Sequence, residues 1–518
     1  MMSVDKITTS QTLSQLLQGL ANISSQQNVE VTGISSDSRT VKPGNLFIAC
    51  NDPGFMNYVK FAIEAGASAV VVELDKTPDI PKYSVPVIAL PQLRAQAGLI
   101  AARFFGNPSH DMNVIGVTGT NGKTTVSYLI AQAFDHERQG KSGLIGTLGY
   151  GPFDQLSKGP NTTPEPVALQ NTFADLREDG IDVVAMEVSS HGLDQYRATG
   201  VEFDIAVFTN LSRDHLDYHQ TMENYSQSKR RLFSDFLIRK AVINIDDAFG
   251  RELIEEFQQK IELVGYTLNA GDDDYDFPVV VGKVISNNVA GNAPRNVPGN
   301  VIGMTLEINS PFGSGTLTSP LIGEFNASNL LASIATLCLS GISFRDAVST
   351  LSICTSAPGR MESFRREGKP LVIVDYAHTP DALEHALHVL KSQSSGKLFC
   401  VFGCGGQRDQ GKRAEMGKVA EALADHIFLT NDNPRYEAAE TIIKDIVSGI
   451  TDHARLTQEP DRRTAISLAI HSASGNDVVL IAGKGHEDYQ EIAGVRTPFS
   501  DRSIVEEVLD ELENGNGE

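Results

Sequence analysis

No apolar run in this chain approaches the ~20 residues that a membrane helix needs, so membrane insertion is not expected. The stretch Met1–Leu20 lacks the basic-then-apolar pattern of a secretory signal and is polar, rich in Ser, Thr and Gln. A cytoplasmic location is the resulting expectation. Cysteines at zinc-ligand spacing are missing too. The five present (Cys50, Cys338, Cys354, Cys400 and Cys404) are odd in number and scattered, which reads as reduced thiols filling interior space. Positive charge is in deficit: a formal net charge of −22 argues against a nucleic-acid partner, whose affinity would come largely from Lys and Arg on phosphates. If the ligands are anions, positive charge must be local, and single Arg and Lys residues inside glycine-rich loops become informative. No internal repeat or extended low-complexity tract is present, and the Glu/Asn/Gly tail after Asp510 is expected to fray.

What remains is an ordinary globular composition, 41% hydrophobic and 21% charged, over 518 residues. At about 100 to 200 residues per domain, three domains are expected. The first, 1–109, holds short β-branched runs such as Ala69–Glu73 after a helical Tyr58–Ala65. The second, 110–356, opens with the strand Val114–Val117, a glycine loop and the helix-like Thr124–Phe134. Asp182–Met186 and Ile205–Phe208 continue it as buried parallel strands. Asn269–Asn300 reads as turns around short strands, and a helix is expected over Asn326–Leu339. Ala357–Arg360 marks the hinge to a third domain, 357–518, where Leu371–Asp375, Leu398–Gly403, His426–Thr430 and Val478–Ala482 make a second parallel sheet. The fold class is α/β throughout: a small N-terminal α/β unit, a central P-loop-type parallel-sheet domain and a Rossmann-like C-terminal domain.

Gly119-Thr120-Asn121-Gly122-Lys123-Thr124-Thr125 lies where a strand turns into a helix, so backbone N–H groups and a helix N-terminus can converge on an anion. Lys123 is placed to neutralise terminal phosphates and the Thr124 hydroxyl to reach Mg²⁺. Val117 stands where the general P-loop pattern has its first glycine. Glu187, ending the run Asp182–Glu187, is a candidate Mg²⁺ ligand, because open α/β sheets bind ligands at the carboxyl ends of their strands. An acid at a strand end also serves as a helix cap. Thr209–His219 packs acids, histidines and hydroxyls into one loop, which fits metal or phosphate binding and equally a solvated turn.

The segments GTNGKTT, MEVSSHGL and TNLSRDHLDYH, with Gly323–Asn329, Asp375–Asp381 and Phe402–Gly406, resemble the Mur ligases, in order and over nearly the whole chain. The resemblance implies peptidoglycan synthesis: ATP phosphorylates the γ-carboxylate of D-Glu in UDP-MurNAc-L-Ala-D-Glu, and an amine attacks the acyl phosphate. It implies catalytic roles for Lys123, Glu187, His215 and Lys229, and two Mg²⁺ ions, one near Thr124 and Glu187 and one near His215. Lys229 matches a lysine that the family carbamylates to N6-carboxylysine, although Ser228 stands where relatives have alanine. Nucleotide contacts are implied for Gly119 to Thr125, Asn326 and Arg360. Ser36 and Ser38 would meet the uridine end of the substrate, and Thr162, Thr163, Ser189, Gln195 and Arg197 its sugar and peptide. Asn51–Met56 departs from the family's DGH segment, which leaves uracil contacts there open.

The segment Asp432-Asn433-Pro434-Arg435 by itself reads as a turn before a helix near Glu437. In the resembled family it marks enzymes that add meso-diaminopimelate, which is lysine with a further carboxylate that an arginine fork can hold. Arg408, Gly483 and Glu487 complete the implied pocket, with Glu487 facing the distal ammonium; Tyr436–Ala439 departs from the usual acid–proline continuation. Small-molecule substrates and a monomer are expected. The alternatives are an L-lysine-adding counterpart, another carboxylate–amine ligase such as a folylpolyglutamate synthase, and a non-catalytic nucleotide-binding module.

Overall fold

The computed structural model describes residues 10–50, 55–73, 82–138, 140–269, 275–286, 303–394 and 396–514. Residues 51–54 of the segment that departs from DGH lie outside these, as do most of the turn-rich 269–300 and the end of the tail. The chain divides into two compact units, 1–265 with 276–278, and 266–275 with 279–518.

In the first unit, strands β1 (Gly33–Ser35), β2 (Asn45–Ala49), β3 (Ala69–Glu73) and β4 (Val87–Leu90) form a parallel sheet in that order. Helix α1 (Phe55–Glu64) follows β2, and α2 (Leu93–Phe104) follows β4. Every residue of β2 and β3 is buried, so their apolar runs are continuous rather than alternating, as expected for a parallel sheet covered on both faces.

A second sheet of this unit is built on β5 (Asn113–Thr118), which leads through the glycine loop into α3 (Lys123–Arg138). Strands β6 (Ser142–Gly146) and β7 (Gly149–Pro152) form a hairpin, and α4 (Pro166–Glu178) follows them. Then come β8 (Val183–Glu187), the short α5 (Ser190–Asp194), β9 (Ile205–Phe208), α6 (Leu216–His219), α7 (Met222–Ser234) and β10 (Lys240–Asn244). The strand order is β10-β9-β5-β8-β6-β7, parallel except at β7. Because β5 lies between β8 and β9, the loops leaving all three open at one sheet edge, where such folds hold their ligands. The register fixes this: Glu187 is paired with Val117, and Phe208 with Thr118.

The second unit contains an antiparallel meander of β11 (Val279–Ser286), β12 (Met304–Ser310) and β13 (Gly313–Ser319), followed by α8 (Glu324–Leu339). Its main sheet has the order β14 (Glu362–Phe364), β15 (Leu371–Asp375), β19 (Val478–Ala482), β16 (Leu398–Phe402), β17 (His426–Leu429), β18 (Leu456–Gln458). Only β14 runs antiparallel. Helices α9 (Pro380–Gln393), α10 (Gly411–Leu423) and α11 (Ala439–Val447) cover one face through Leu383, Leu387, Met416, Ala420 and Ile446. Helices α12 (Arg462–Ser472) and α13 (Asp501–Asn514) cover the other through Ile466, Ile470, Val505 and Leu509. All five cysteines are free thiols, Cys354, Cys400 and Cys404 fully buried. Among the described residues no helix is long and apolar enough to cross a membrane.

Candidate functional site

The loop after β5 is shaped by glycines that nothing else could replace. Gly119 has φ +148°, and a Cβ there would sit 1.9 Å from the Thr209 hydroxyl. The loop after β9 is stitched onto this one: the Thr209 hydroxyl donates to Asn121 O at 2.6 Å, Thr120 N–H to Asn210 O at 2.8 Å, and Asn121 N–H to Asn210 Oδ1 at 2.9 Å. The TNLS segment is therefore a structural brace for the phosphate loop. Lys123 folds over that loop, its Nζ donating to Gly119 O at 2.9 Å and Thr120 O at 2.8 Å.

Glu187, 1% exposed, brings the end of β8 to the start of α3. Its Oε2 accepts from the Thr124 hydroxyl at 2.9 Å and the Thr147 hydroxyl at 3.1 Å, and its Oε1 from Thr147 N–H at 2.7 Å. Thr147 had no sequence signal beyond its place in a glycine-rich hairpin. The Thr124–Glu187 pair offers hard oxygen donors of the kind Mg²⁺ prefers. Among the described residues no three His, Cys, Asp or Glu side chains are grouped so that they could hold a metal ion by themselves. Such a sparse set fits a Mg²⁺ that keeps waters and takes further oxygens from substrate phosphates.

Lys229, on α7, reaches the same place from below. Its Nζ donates to Gly119 O at 2.6 Å and lies 4.4 Å from the centre of the Tyr225 ring, with the residue 1% exposed. Burial, reinforced by the Lys123 ammonium, pushes its amine well below the usual lysine range, against the pull of Asp214. The geometry thus joins Lys123, Thr124, Glu187 and Lys229 around one loop. His215 begins α6 in the left-handed region at φ 52°, with its ring edge-on to His191 at 4.8 Å between centroids. His191 also meets the rings of Tyr218 and His219, and burial with the neighbouring His215 and His219 pushes it down to about 4. Ser228 has a polar role here: its hydroxyl faces His219 Nδ1 at 3.4 Å, while His219 Nε2 faces the Ser190 hydroxyl at 3.0 Å.

The residues expected at the sugar and peptide form a connected chain. The Thr163 hydroxyl donates to Glu187 O at 3.0 Å and lies 3.0 Å from the Ser189 hydroxyl, Arg197 donates to Thr163 O at 3.0 Å and Gln195 Oε1 at 2.6 Å, and the Thr162 hydroxyl lies 3.2 Å from that of Thr147. Ser36, Ser38 and Gln195 line a cavity of about 530 Å³ together with Tyr58, Arg94 and Glu165. Arg39 in this cavity is neutralised by Asp37, with bonds of 2.9 Å and 2.6 Å. Arg94 makes no such ion pair among the described residues. It sits at the start of α2, where nothing in the sequence singled it out.

In the second unit the loops after β16, β17 and β19 converge. Asn433, 2% exposed, donates to Glu487 Oε2 at 2.8 Å and accepts from Lys484 Nζ at 3.1 Å and Glu491 N–H at 2.9 Å. Lys484, fully buried, also donates to Glu487 at 2.9 Å, so Glu487 already faces one ammonium that sequence reasoning missed. A Cβ on Gly483, at φ +116°, would stand 2.7 Å from Asp432 Oδ2, which requires glycine. Arg435 is half-buried at φ 53°, and its Nη1 donates to Gly406 O at 2.8 Å. At Gly405 a Cβ would lie 3.0 Å from Arg435 Nη1 and 3.7 Å from Arg408 Cγ, so both arginines flank the same bare stretch of backbone. Arg360 lies over the Tyr376 ring at 4.6 Å, beside an Asp375 carboxyl that burial pushes up. Asn326, 1% exposed, spends its amide inside the helix turn, donating to Ile322 O at 2.8 Å and accepting from Asn329 at 3.1 Å.

A family model for the Mur ligase middle domain matches residues 117–337, and one for the Mur ligase glutamate ligase domain matches 359–485. The UDP-N-acetylmuramoyl-L-alanyl-D-glutamate--2,6-diaminopimelate ligase of Coxiella burnetii is 47% identical over 502 residues, which is 96% of this chain and 99% of that protein. A solved structure of a UDP-N-acetylmuramoyl-L-alanyl-D-glutamate--2,6-diaminopimelate ligase is 36% identical with a TM-score of 0.70, covering 97% of this chain and 99% of that one. The MurF ligase from Thermotoga maritima in complex with ADP shares the fold at 16% identity and a TM-score of 0.60, over 93% of this chain and 97% of that one. The chain is an ATP-dependent, amide-bond-forming ligase. It belongs to the Mur ligase family.

Proposed function

We propose that this ligase joins meso-diaminopimelate to the γ-carboxylate of D-Glu in UDP-MurNAc-L-Ala-D-Glu, in peptidoglycan synthesis. The observation that carries the amine assignment is the pair of arginines, Arg408 and Arg435, flanking Gly405 beside the buried Asn433–Glu487–Lys484 cluster. A planar fork suits the distal carboxylate that separates diaminopimelate from lysine.

A carboxylate is a poor acylating agent until one of its oxygens becomes a leaving group, and phosphorylation by ATP supplies that. The loop 119–125 cradles the phosphates on backbone N–H groups, and Lys123, released from its own loop carbonyls, neutralises the terminal phosphate. Thr124 and Glu187 would hold one Mg²⁺ and His215 a second; the metal supplies charge neutralisation on the transferring phosphoryl group. Lys229 is the proposed carbamylation site: burial disfavours its ammonium form, and the free amine adds to CO₂ with loss of a proton, leaving an anion beside Lys123. The nucleotide end of the sugar substrate fits the cavity of Ser36, Ser38, Tyr58 and Arg94, with Thr162, Thr163, Ser189, Gln195 and Arg197 on the sugar and peptide. Asn326 and Arg360 are assigned to ATP. The domains are 1–109, 110–356 and 357–518, and the enzyme works in the cytoplasm, where ATP is available.

Phosphate release measured with purified protein tests this reading. Release is expected only when ATP, Mg²⁺, UDP-MurNAc-L-Ala-D-Glu and diaminopimelate are all present. Faster release with L-lysine than with diaminopimelate would reject the amine assignment.

A further inference from the structure

Two loops carry the arginines assigned to the amino acid; that of Arg435 is bridged to the strand Tyr489–Ile492 by its N–H on Glu491 O at 2.9 Å, and that of Arg408 has no such bridge among the described residues. Gln407 and Arg435, one in each loop, both adopt left-handed backbone at φ 54° and 53°, a conformation that costs a non-glycine residue about 1 kcal/mol or more. The loops also press together more closely than side chains allow. A Cβ on Gly406 would stand 2.0 Å from Pro434 O and 3.1 Å from Glu437 Cβ. Gly406 N–H donates to Asn433 O at 2.9 Å and Arg435 Nη1 to Gly406 O at 2.8 Å, so the two loops meet directly.

A charged group reinforces that junction: Arg413, on the first turn of α10 and wholly buried. Its guanidinium grips Glu437 in a two-pronged pair, Nη1 to Oε1 at 2.6 Å and Nη2 to Oε2 at 2.8 Å. Glu437 Oε2 in turn accepts from Gln407 N–H at 3.1 Å, and Arg413 Nη2 reaches Gly405 O at 3.4 Å. Glu437 closes its own loop through its N–H on Pro434 O at 3.0 Å. The path Gly405–Gln407–Glu437–Arg413 therefore ties the loop of Arg408 to the loop of Arg435. The other partner of Arg413, Asp445 at 2.8 Å, lies on α11 and, among the described residues, makes no hydrogen bond to either loop.

We propose that Arg413 and Glu437 form a positioning clamp that fixes the spacing of Arg408 and Arg435 and thereby sets the selectivity of the amino-acid pocket for a second carboxylate. The clamp touches no substrate; it acts through the two loops. It rests on the assignment of that pocket to diaminopimelate, which wild-type turnover with diaminopimelate tests separately.

Glu437→Gln keeps the shape and an acceptor for Gln407 but breaks the charged fork. Asp445→Asn removes a charge from the same arginine without touching either loop. With Glu437→Gln, the KM for diaminopimelate is expected to rise about tenfold and its preference over L-lysine to fall, while kcat and the KM for ATP stay within about twofold. Asp445→Asn is expected to leave all four within about twofold. The clamp is overturned if Glu437→Gln leaves the diaminopimelate KM unchanged, or if Asp445→Asn raises it equally, since either result reduces Arg413 to a structural anchor of α10. Wild-type enzyme that does not use diaminopimelate at all would instead reject the pocket assignment.

Discussion

Replacing Glu187 by glutamine and by alanine separates its chemical role from its structural one. Two of the donors on its carboxylate are hydroxyls, of Thr124 and Thr147, which can rotate to accept instead; the third is Thr147 N–H at 2.7 Å, which cannot. A glutamine can keep its oxygen on that N–H and turn its amino group toward the hydroxyls, so the fold should change by less than about 1 kcal/mol. Alanine leaves the N–H without a partner, about 1–3 kcal/mol, and removes one buried methylene at about 0.8 kcal/mol. The sum is roughly 2–4 kcal/mol, or about 4–16 °C in unfolding midpoint at about 2–4 °C per kcal/mol. For turnover the order reverses in meaning: both variants lose the negative charge facing Mg²⁺, and both should fall by about 10²–10³ in kcat. Differential scanning calorimetry and phosphate release at saturating Mg²⁺ read the two effects. A glutamine variant with wild-type turnover would remove Glu187 from the metal site, and an alanine variant with an unchanged midpoint would show that its hydrogen bonds do not hold the loop.

Arg435→Lys should raise the KM for diaminopimelate and lower its preference over L-lysine, because a point charge cannot replace a fork; unchanged competition between the two amines would exclude Arg435 from the pocket. Arg94→Ala should raise the KM for the nucleotide-sugar peptide about tenfold and leave that for ATP alone, since Arg94 lines that cavity and makes no ion pair among the described residues, and steady-state kinetics in both substrates will tell. Arg462 and Asp501 are fully buried and paired at 2.7 Å, so Asp501→Ala should cost about 3–5 kcal/mol in urea unfolding, and Asp501→Ala with Arg462→Met less than Asp501→Ala alone.

The sequence was most legible where apolar runs were unbroken. Ala69–Glu73, Leu371–Asp375 and Val478–Ala482 are strands with the expected ends, because a parallel strand covered on both faces has no polar residue to blur it. The edge strands Glu362–Phe364 and Leu456–Gln458 escaped, since three residues are too few to carry a periodic signal. At the site, motif residues bound to backbone geometry, such as Gly119, Lys123 and Glu187, could be named beforehand. Thr147, Arg94, Lys484 and Arg413 could not. Each reaches its place through tertiary contact alone: Thr147 from a neighbouring hairpin, Arg413 from a helix whose partners lie 24 and 32 residues away. Ser228 looked like a departure from a pattern, and its hydroxyl faces His219 Nδ1 at 3.4 Å.

The most direct test of the whole account is mass spectrometry of the product after the enzyme, ATP, Mg²⁺ and UDP-MurNAc-L-Ala-D-Glu meet an equimolar mixture of meso-diaminopimelate, L-lysine and other amino acids. The account predicts a single new species, heavier than the nucleotide substrate by diaminopimelate less one water. A product carrying lysine, or ADP formed with no amino acid attached, would contradict it.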